Sequence, residues 1–227
     1  IAWILCDRAG REDLKPVLVV APLTLLSNWR REIGSFAPSL RVYQHHGESR
    51  MLASGFAAAA AKADVVLTSY NLMVRDYTAI SEVEWDALVL DEAQMVKNPD
   101  TAVARAVRAL MPRKRVAITG TPVENSLMDI WSLEDFLNPG FLGERSVFRE
   151  RFARPVAMNP DSAMRGRLRR ALEPFVMRRL KSEKGVALLS QNRQFQWFSR
   201  PTYIFPVVPA TAATMMKESG HEVLFLD

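Results

Sequence analysis

Apolar residues along this chain fall into short unbroken runs, separated by stretches in which they recur every three or four positions. Val17-Leu18-Val19-Val20-Ala21 is one such run, rich in β-branched residues and closed by Pro22. Unbroken apolarity of this kind suits a strand covered on both faces, so it predicts a buried parallel strand and not an alternating edge strand. In the segment that follows, Leu26, Trp29, Ile33 and Phe36 share one face of a helix, with Thr24 or Ser27 as its cap. Arg41 to His45 is the next strand candidate, Met51 to Lys62 an alanine-rich helix, and Asp64 to Tyr70 a strand with a polar exit. Trp85 to Asp91 reads as a third buried strand, Thr101 to Leu110 as a helix, and Arg115 to Gly120 as a strand ending in a glycine turn. Strands alternating with helices predict an α/β fold, a doubly wound and mostly parallel sheet with helices on both faces. Such sheets bind ligands at the carboxyl ends of their strands. Three polar clusters fall there: Pro22 to Ser27, Asp91 to Gln94, and Thr119 to Pro122.

From Phe141 to Glu183 the pattern changes to helices separated by proline-containing turns. Between Glu144 and Lys184 there are twelve Lys and Arg against five acids, so this is a helical basic extension. Beyond Lys184 the charged, helical character fades, which sets a boundary between residues 1–184 and an unassigned tail, 185–227.

Composition narrows the picture. With 227 residues and 48% of them apolar, the chain can bury a large core, and global disorder is excluded. The net charge of +5 permits a polyanionic partner, chiefly through the basic extension. A lone cysteine, Cys6, excludes an intrachain disulfide framework and a Cys-ligated zinc site, and reads as a small core residue. No apolar run approaches the roughly 20 residues that span a bilayer, so a soluble intracellular chain without membrane contact is expected. His45, His46 and His221 have no metal-ligand spacing and read as structural. The opening Ile1-Ala2-Trp3-Ile4-Leu5 is apolar and uncapped, as in an interrupted helix.

Leu88-Val89-Leu90 delivers two adjacent carboxylates, Asp91 and Glu92, to a loop. Adjacent acids after a buried strand suit a nucleotide site, where one holds a magnesium ion and the other orients a water for attack on a γ-phosphate. The same two acids also suit an ordinary first helical turn. Thr119-Gly120-Thr121-Pro122, whose first residue lies 28 positions after Asp91, puts two hydroxyls around a glycine where they can sense a phosphate or simply close a turn.

Taken together, Asp91-Glu92-Ala93-Gln94, Lys97-Asn98, Thr119-Gly120-Thr121-Pro122, Glu124-Asn125 and Asp129-Ile130-Trp131-Ser132-Leu133 resemble the first lobe of Swi/Snf-type ATPases of helicase superfamily two. Val19-Val20-Ala21-Pro22, Leu25-Leu26 and Asn28-Trp29 resemble that family's first DNA-contacting motif. Phe136-Leu137-Asn138-Pro139-Gly140 and Phe175 to Lys181 resemble later segments of the same lobe. The likeness covers residues 1 to 184 in order.

The resemblance implies a RecA-like lobe that uses ATP and Mg2+, acts on double-stranded DNA, faces a second RecA-like lobe, and works on a DNA-bound protein complex. It assigns Asp91 to magnesium and Glu92 to the catalytic water, and it assigns Gln94, Thr119, Gly120 and Thr121 to coupling. Many relatives carry histidine where Gln94 stands. Glutamine keeps a donor and an acceptor without a titratable group, so coupling should not respond to pH near neutrality. DNA contacts are implied at Pro22, Thr24, Ser27 and Asn28, at Thr68 and Ser69, and at Arg178, Arg179 and Lys181. For Trp29, plain core packing is expected, and Tyr70 reads equally well as core.

No Gly-x-x-x-x-Gly-Lys-Ser/Thr occurs in these residues. Relatives carry that phosphate loop just before a helix like Ile1 to Leu5. The residues given are therefore expected to begin after the loop and, lacking the second lobe too, not to turn over ATP by themselves. On that view a non-catalytic DNA- or protein-binding module is the alternative. Pro209 to Thr214 with Lys217 to Val223 and Asp227 is similar to the opening of cobalamin-binding domains joined to radical enzymes. The alanine- and arginine-rich composition favours a bacterial, nucleoid-associated cytoplasmic protein, or a nuclear one if eukaryotic.

Overall fold

A computed structural model describes residues 1–9, 11, 13–48, 50–52, 54–120, 127–159, 163–172, 174–175, 177–179 and 202–205. They divide into two compact units: the chain passes to the second after Glu92, returns to the first at Asp100, and passes to the second again within its fifth strand.

The first unit contains α1 (Ala2–Arg8), β1 (Val17–Ala21), α2 (Leu26–Phe36), β2 (Val42–His45), α3 (Ser54–Lys62), β3 (Val65–Ser69), α4 (Tyr70–Arg75), α5 (Tyr77–Ser81), β4 (Ala87–Asp91), α6 (Ala102–Ala109) and the start of β5 (Lys114–Thr119). Its strands run parallel in the order β2-β3-β1-β4. Every residue of β1 and β3 is buried, as the apolar runs Val17–Ala21 and Val65–Leu67 require, and the Thr68 and Ser69 hydroxyls that end β3 find partners inside the protein. Thr101 caps α6, its hydroxyl accepting from the Ala104 N–H at 3.2 Å.

Several expectations change. Neither Thr24 nor Ser27 caps α2, because a 3-10 turn, Leu23–Leu25, precedes it and puts Thr24 inside the turn and Ser27 inside the helix. Phe36 sits on the predicted apolar face yet is 57% exposed, because α2 ends there and the chain turns inward at Ala37. The alanine-rich helix starts at Ser54, not Met51. Cys6 is half-buried and not deep in the core.

At the amino ends of the strands, α1 is held by ion pairs that bury three acids. Asp64, just before β3, accepts from Arg8 at 2.7 Å and from Arg41 at 2.9 and 3.1 Å. Asp86, just before β4, pairs with Arg113 at 3.2 Å and Arg11 at 3.5 Å, while Asp7 pairs with Arg11 and Lys114. Burial pushes the Asp64 carboxyl up, but hydrogen bonds from Arg41 and Arg8 outweigh it and hold the pKa at about 2. A depressed folded-state pKa means a stabilisation fully present above the ordinary value of 3.8 and lost as pH falls through about 2. Discounted for the exposed Arg41 partner, it is worth about 1–2 kcal/mol. Urea unfolding from pH 5 to pH 2 should therefore show a steeper loss in the wild type than in Asp64→Asn, and parallel curves would remove this role from Asp64.

His45 is fully buried at the end of β2, where its Nε2 meets Asp76 Oδ2 at 2.9 Å and Arg50 braces the same carboxylate at 2.7 and 3.2 Å. Burial lowers its pKa, so the ring is a neutral structural group, as the sequence suggests.

The second unit contains a 3-10 turn (Ala93–Val96), the end of β5, α7 (Leu127–Leu137), α8 (Arg145–Phe148), a π-helical turn (Arg149–Ala153), α9 (Arg154–Met158), α10 (Ala163–Leu172), β6 (Met177–Arg179) and β7 (Thr202–Phe205). Trp131, Phe148, Leu168 and Leu172 form its buried cluster, and the Trp131 indole donates to the Gly143 carbonyl at 3.0 Å. β7 pairs antiparallel with Ala117–Thr119 and with β6. Residues 177–179 are thus a strand where the sequence pattern suggests a helix, because β7 supplies ladder partners from more than twenty residues downstream.

Candidate active site

Register places three strand ends of the first unit on one edge. Ala21 of β1 lies opposite Ser69 of β3, and Val20 lies opposite Leu90 of β4. Pro22, Tyr70 and Asp91 therefore leave the sheet side by side, at the carboxyl edge where open parallel sheets hold ligands.

Asp91 ends β4, and both of its oxygens are engaged. Oδ1 accepts from the Glu92 N–H at 3.0 Å, and Oδ2 accepts from the indole Nε1 of Trp29 at 2.7 Å. Burial pushes the Asp91 carboxyl above its ordinary pKa, helped by the Glu92 charge and opposed by the Trp29 hydrogen bond. Each oxygen keeps a lone pair, so the group can accept a cation or a metal-bound water, and a positive charge there offsets its burial. Among the described residues no three His, Cys, Asp or Glu gather into a metal cage. One carboxylate with the remaining ligands from phosphate and water is the arrangement magnesium favours at nucleotides.

Glu92 has φ +52°, in the left-handed region that residues with a Cβ seldom adopt. The peptide joining it to Asp91 is gripped at both ends. Its N–H goes to Asp91 Oδ1, and its carbonyl accepts from the Tyr70 hydroxyl at 2.7 Å. Burial raises the Tyr70 phenol well above its ordinary pKa, so it remains a donor. Strain at such a position is stored where function needs a side chain aimed out of the strand. Glu92→Gly should thus be about 1 kcal/mol more stable than Glu92→Ala, and equal urea midpoints would show that the turn relaxes.

Of the residues the resemblance assigns to DNA, Thr24 and Ser27 are exposed and Pro22 and Asn28 are partly buried, on the segment leading out of β1. Thr68 and Ser69 are buried with their hydroxyls used internally: Thr68 donates to the His45 carbonyl at 3.4 Å, and Ser69 accepts from the Leu72 N–H at the start of α4. Their side chains shape the turn and are not presented at the surface.

In the second unit, the Thr119 hydroxyl donates to Gln94 Oε1 at 2.6 Å, joining the turn after Ala93 to the end of β5. Ser132 of α7 donates to the Val96 carbonyl at 3.2 Å and ties the same turn to a third motif. Gly120 follows Thr119 at the end of β5. Thr121 and Lys181 lie outside the described residues, and Arg178 and Arg179 stand in β6.

The sequence pattern overlooks Trp29 and Tyr70. Read as packing residues, they turn out to be hydrogen-bond donors to Asp91 across 62 and 21 positions of chain. No local periodicity marks such a role.

A parallel sheet with adjacent carboxylates at one strand end, followed by a linked glutamine and threonine, defines a RecA-like lobe of the helicase-like ATPases. Comparison narrows the class. The SNF2-related domain profile matches residues 1–199, and the chain belongs to that family. It is 41% identical over 188 residues to YwqA of Bacillus subtilis, which carries the name of an ATP-dependent helicase/translocase, covering 83% of this chain and 20% of that protein. Against the ISWI chromatin-remodeling complex ATPase ISW2 of Saccharomyces cerevisiae it is 31% identical, covering 81% of this chain and 17% of the relative. The Sulfolobus solfataricus SWI2/SNF2 ATPase core in complex with dsDNA superposes with a TM-score of 0.70 at 40% identity, over 79% of this chain and 37% of that one. The chain thus spans about a fifth of the length of these curated relatives, and the fold is that of the RecA-like SWI2/SNF2 core.

Proposed function

We propose that this chain serves as the first motor lobe of an ATP-dependent double-stranded DNA translocase or remodeller. The observation that carries this reading is the Asp91–Glu92 turn, a strained and doubly anchored peptide that presents two acids at the sheet edge. Asp91 would hold magnesium, directly or through water, and the ion would supply charge neutralisation to the phosphates. Glu92 orients the attacking water and accepts its proton. The Thr119–Gln94 hydrogen bond links the turn beyond Glu92 to the end of β5, so a change in contacts at either residue reaches the other.

Double-stranded DNA as partner rests on the family and on charge. α8 to α10 and the π turn between them expose Arg145, Arg149, Arg151, Arg154, Arg165, Arg167, Arg169 and Arg170. That surface also favours the second reading, a module that binds DNA or a protein without turnover. A second RecA-like lobe and a DNA-bound protein complex complete the motor in our reading, located in a bacterial cytoplasm at the nucleoid.

Two measurements test it. ATP hydrolysis by the intact protein should rise on adding duplex DNA of any sequence, and a DNA-independent rate would favour the binding module. DNA affinity should fall steeply with salt, and removing Arg178, Arg179 and Lys181 together should flatten the log–log slope by about 2–3. An unchanged slope would shift the contacts to α8–α10 or to Pro22–Asn28.

A further inference from the structure

Each segment assigned to DNA in the first unit is followed at once by an aromatic residue whose polar tip ends on Asp91. Pro22 to Asn28 leads into Trp29, which donates to Oδ2 at 2.7 Å, and Thr68-Ser69 leads into Tyr70, which donates to the Asp91 carbonyl at 2.7 Å. One bond sets the carboxylate and the other sets the peptide plane from which the left-handed Glu92 departs. We infer that Trp29 and Tyr70 are positioning residues, and that they transmit DNA engagement at the exposed segment after β1, directly through α2 and through the buried β3–α4 turn beside it, to the magnesium and water-orienting acids.

Geometry supports this assignment over plain packing. Trp29 is partly exposed in the second turn of α2, and the buried residues of that helix, Leu26 and Ile33, already anchor it to the sheet. Its indole N–H has a single charged acceptor, so a rigid displacement of α2 moves Asp91 Oδ2 or breaks the bond. Tyr70 is the first residue of α4 and is 3% exposed, so motion of the Thr68–Ser69 turn carries its hydroxyl with it. The two links approach Asp91 from different strands and act on different atoms. Together they leave the Asp91 side chain and the Glu92 backbone little freedom unless the segment after β1 or the β3–α4 turn shifts.

The inference rests on the DNA-dependent ATPase reading, and one experiment separates the two. Steady-state ATPase of the intact protein is measured with and without saturating duplex DNA for wild type, Trp29→Phe and Tyr70→Phe, each with its melting temperature. Both substitutions keep the ring and delete the donor. A packing defect lowers the active fraction and scales the basal and stimulated rates alike, leaving their ratio unchanged. Loss of positioning lowers the ratio itself, by about tenfold for Trp29→Phe, whose bond is charge-assisted, and by a few-fold for Tyr70→Phe, with KM for ATP moved less than about twofold. Stimulation ratios equal to wild type in both variants, in a protein that DNA does stimulate, overturn the inference and leave the functional reading standing. A wild type that DNA does not stimulate overturns both.

Discussion

Replacing Glu92 by Gln in the intact protein is expected to reduce DNA-stimulated ATP hydrolysis by about 10²–10⁴-fold, the usual worth of a positioned general base. The amide keeps the size of the side chain, so the left-handed turn, the Tyr70 bond to the Asp91 carbonyl and the Glu92 N–H bond to Asp91 Oδ1 all remain. What disappears is the charge that, in the proposed role of Glu92, accepts a proton from the attacking water. That interaction exists in the transition state and contributes little to the ground state, so nucleotide affinity should stay within about threefold of wild type. Rapid-quench hydrolysis and equilibrium binding of a fluorescent nucleotide, measured on the same preparation, separate the two quantities. A variant that binds nucleotide poorly would show that Glu92 holds the ligand, and one that retains turnover would move the base elsewhere.

Phe56→Ala should cost about 3–5 kcal/mol of stability, while Phe36→Ala should stay within about 0.5 kcal/mol. Both are phenylalanines on helices, and the spacing of apolar residues singles out Phe36, not Phe56, as a core position. Phe56 is fully buried under α3, edge-on to the His45 ring at 4.7 Å and within reach of Tyr43 and Trp85. Few other large groups fasten the alanine-rich α3, so the cavity left by this ring has little to collapse into it. Phe36 is 57% exposed at the end of α2. Urea titrations of both variants decide the matter. Similar losses would mean that Phe36 is covered in solution.

Much of this protein was legible from sequence, for a physical reason. The runs Val17–Ala21 and Val65–Leu67 lie in strands buried on both faces, and such strands need near-continuous apolar residues, which leaves a signal in the chain itself. The place of the Asp91–Glu92 pair at the end of β4 was equally plain, since the buried apolar run before it stops at the first charged residue. Likewise the basic run after Glu144 declared an exposed cationic face, because a helix that buries only Leu168 and Leu172 turns its arginines to water.

Tertiary structure alone decided the rest. Whether Phe36 or Phe56 is core depends on what packs over each helix end. Whether residues 177–179 form a helix or a strand depends on β7, which offers its backbone groups from far along the chain. Thr68 and Ser69 read as a polar strand exit with implied DNA contacts, and the neighbouring β2 end and the first turn of α4 took up their hydroxyls. Trp29 and Tyr70 carried no mark of their function, because a side chain's apolar body sets the helical pattern while its N–H or O–H finds a partner only once β1, β3 and β4 lie in register.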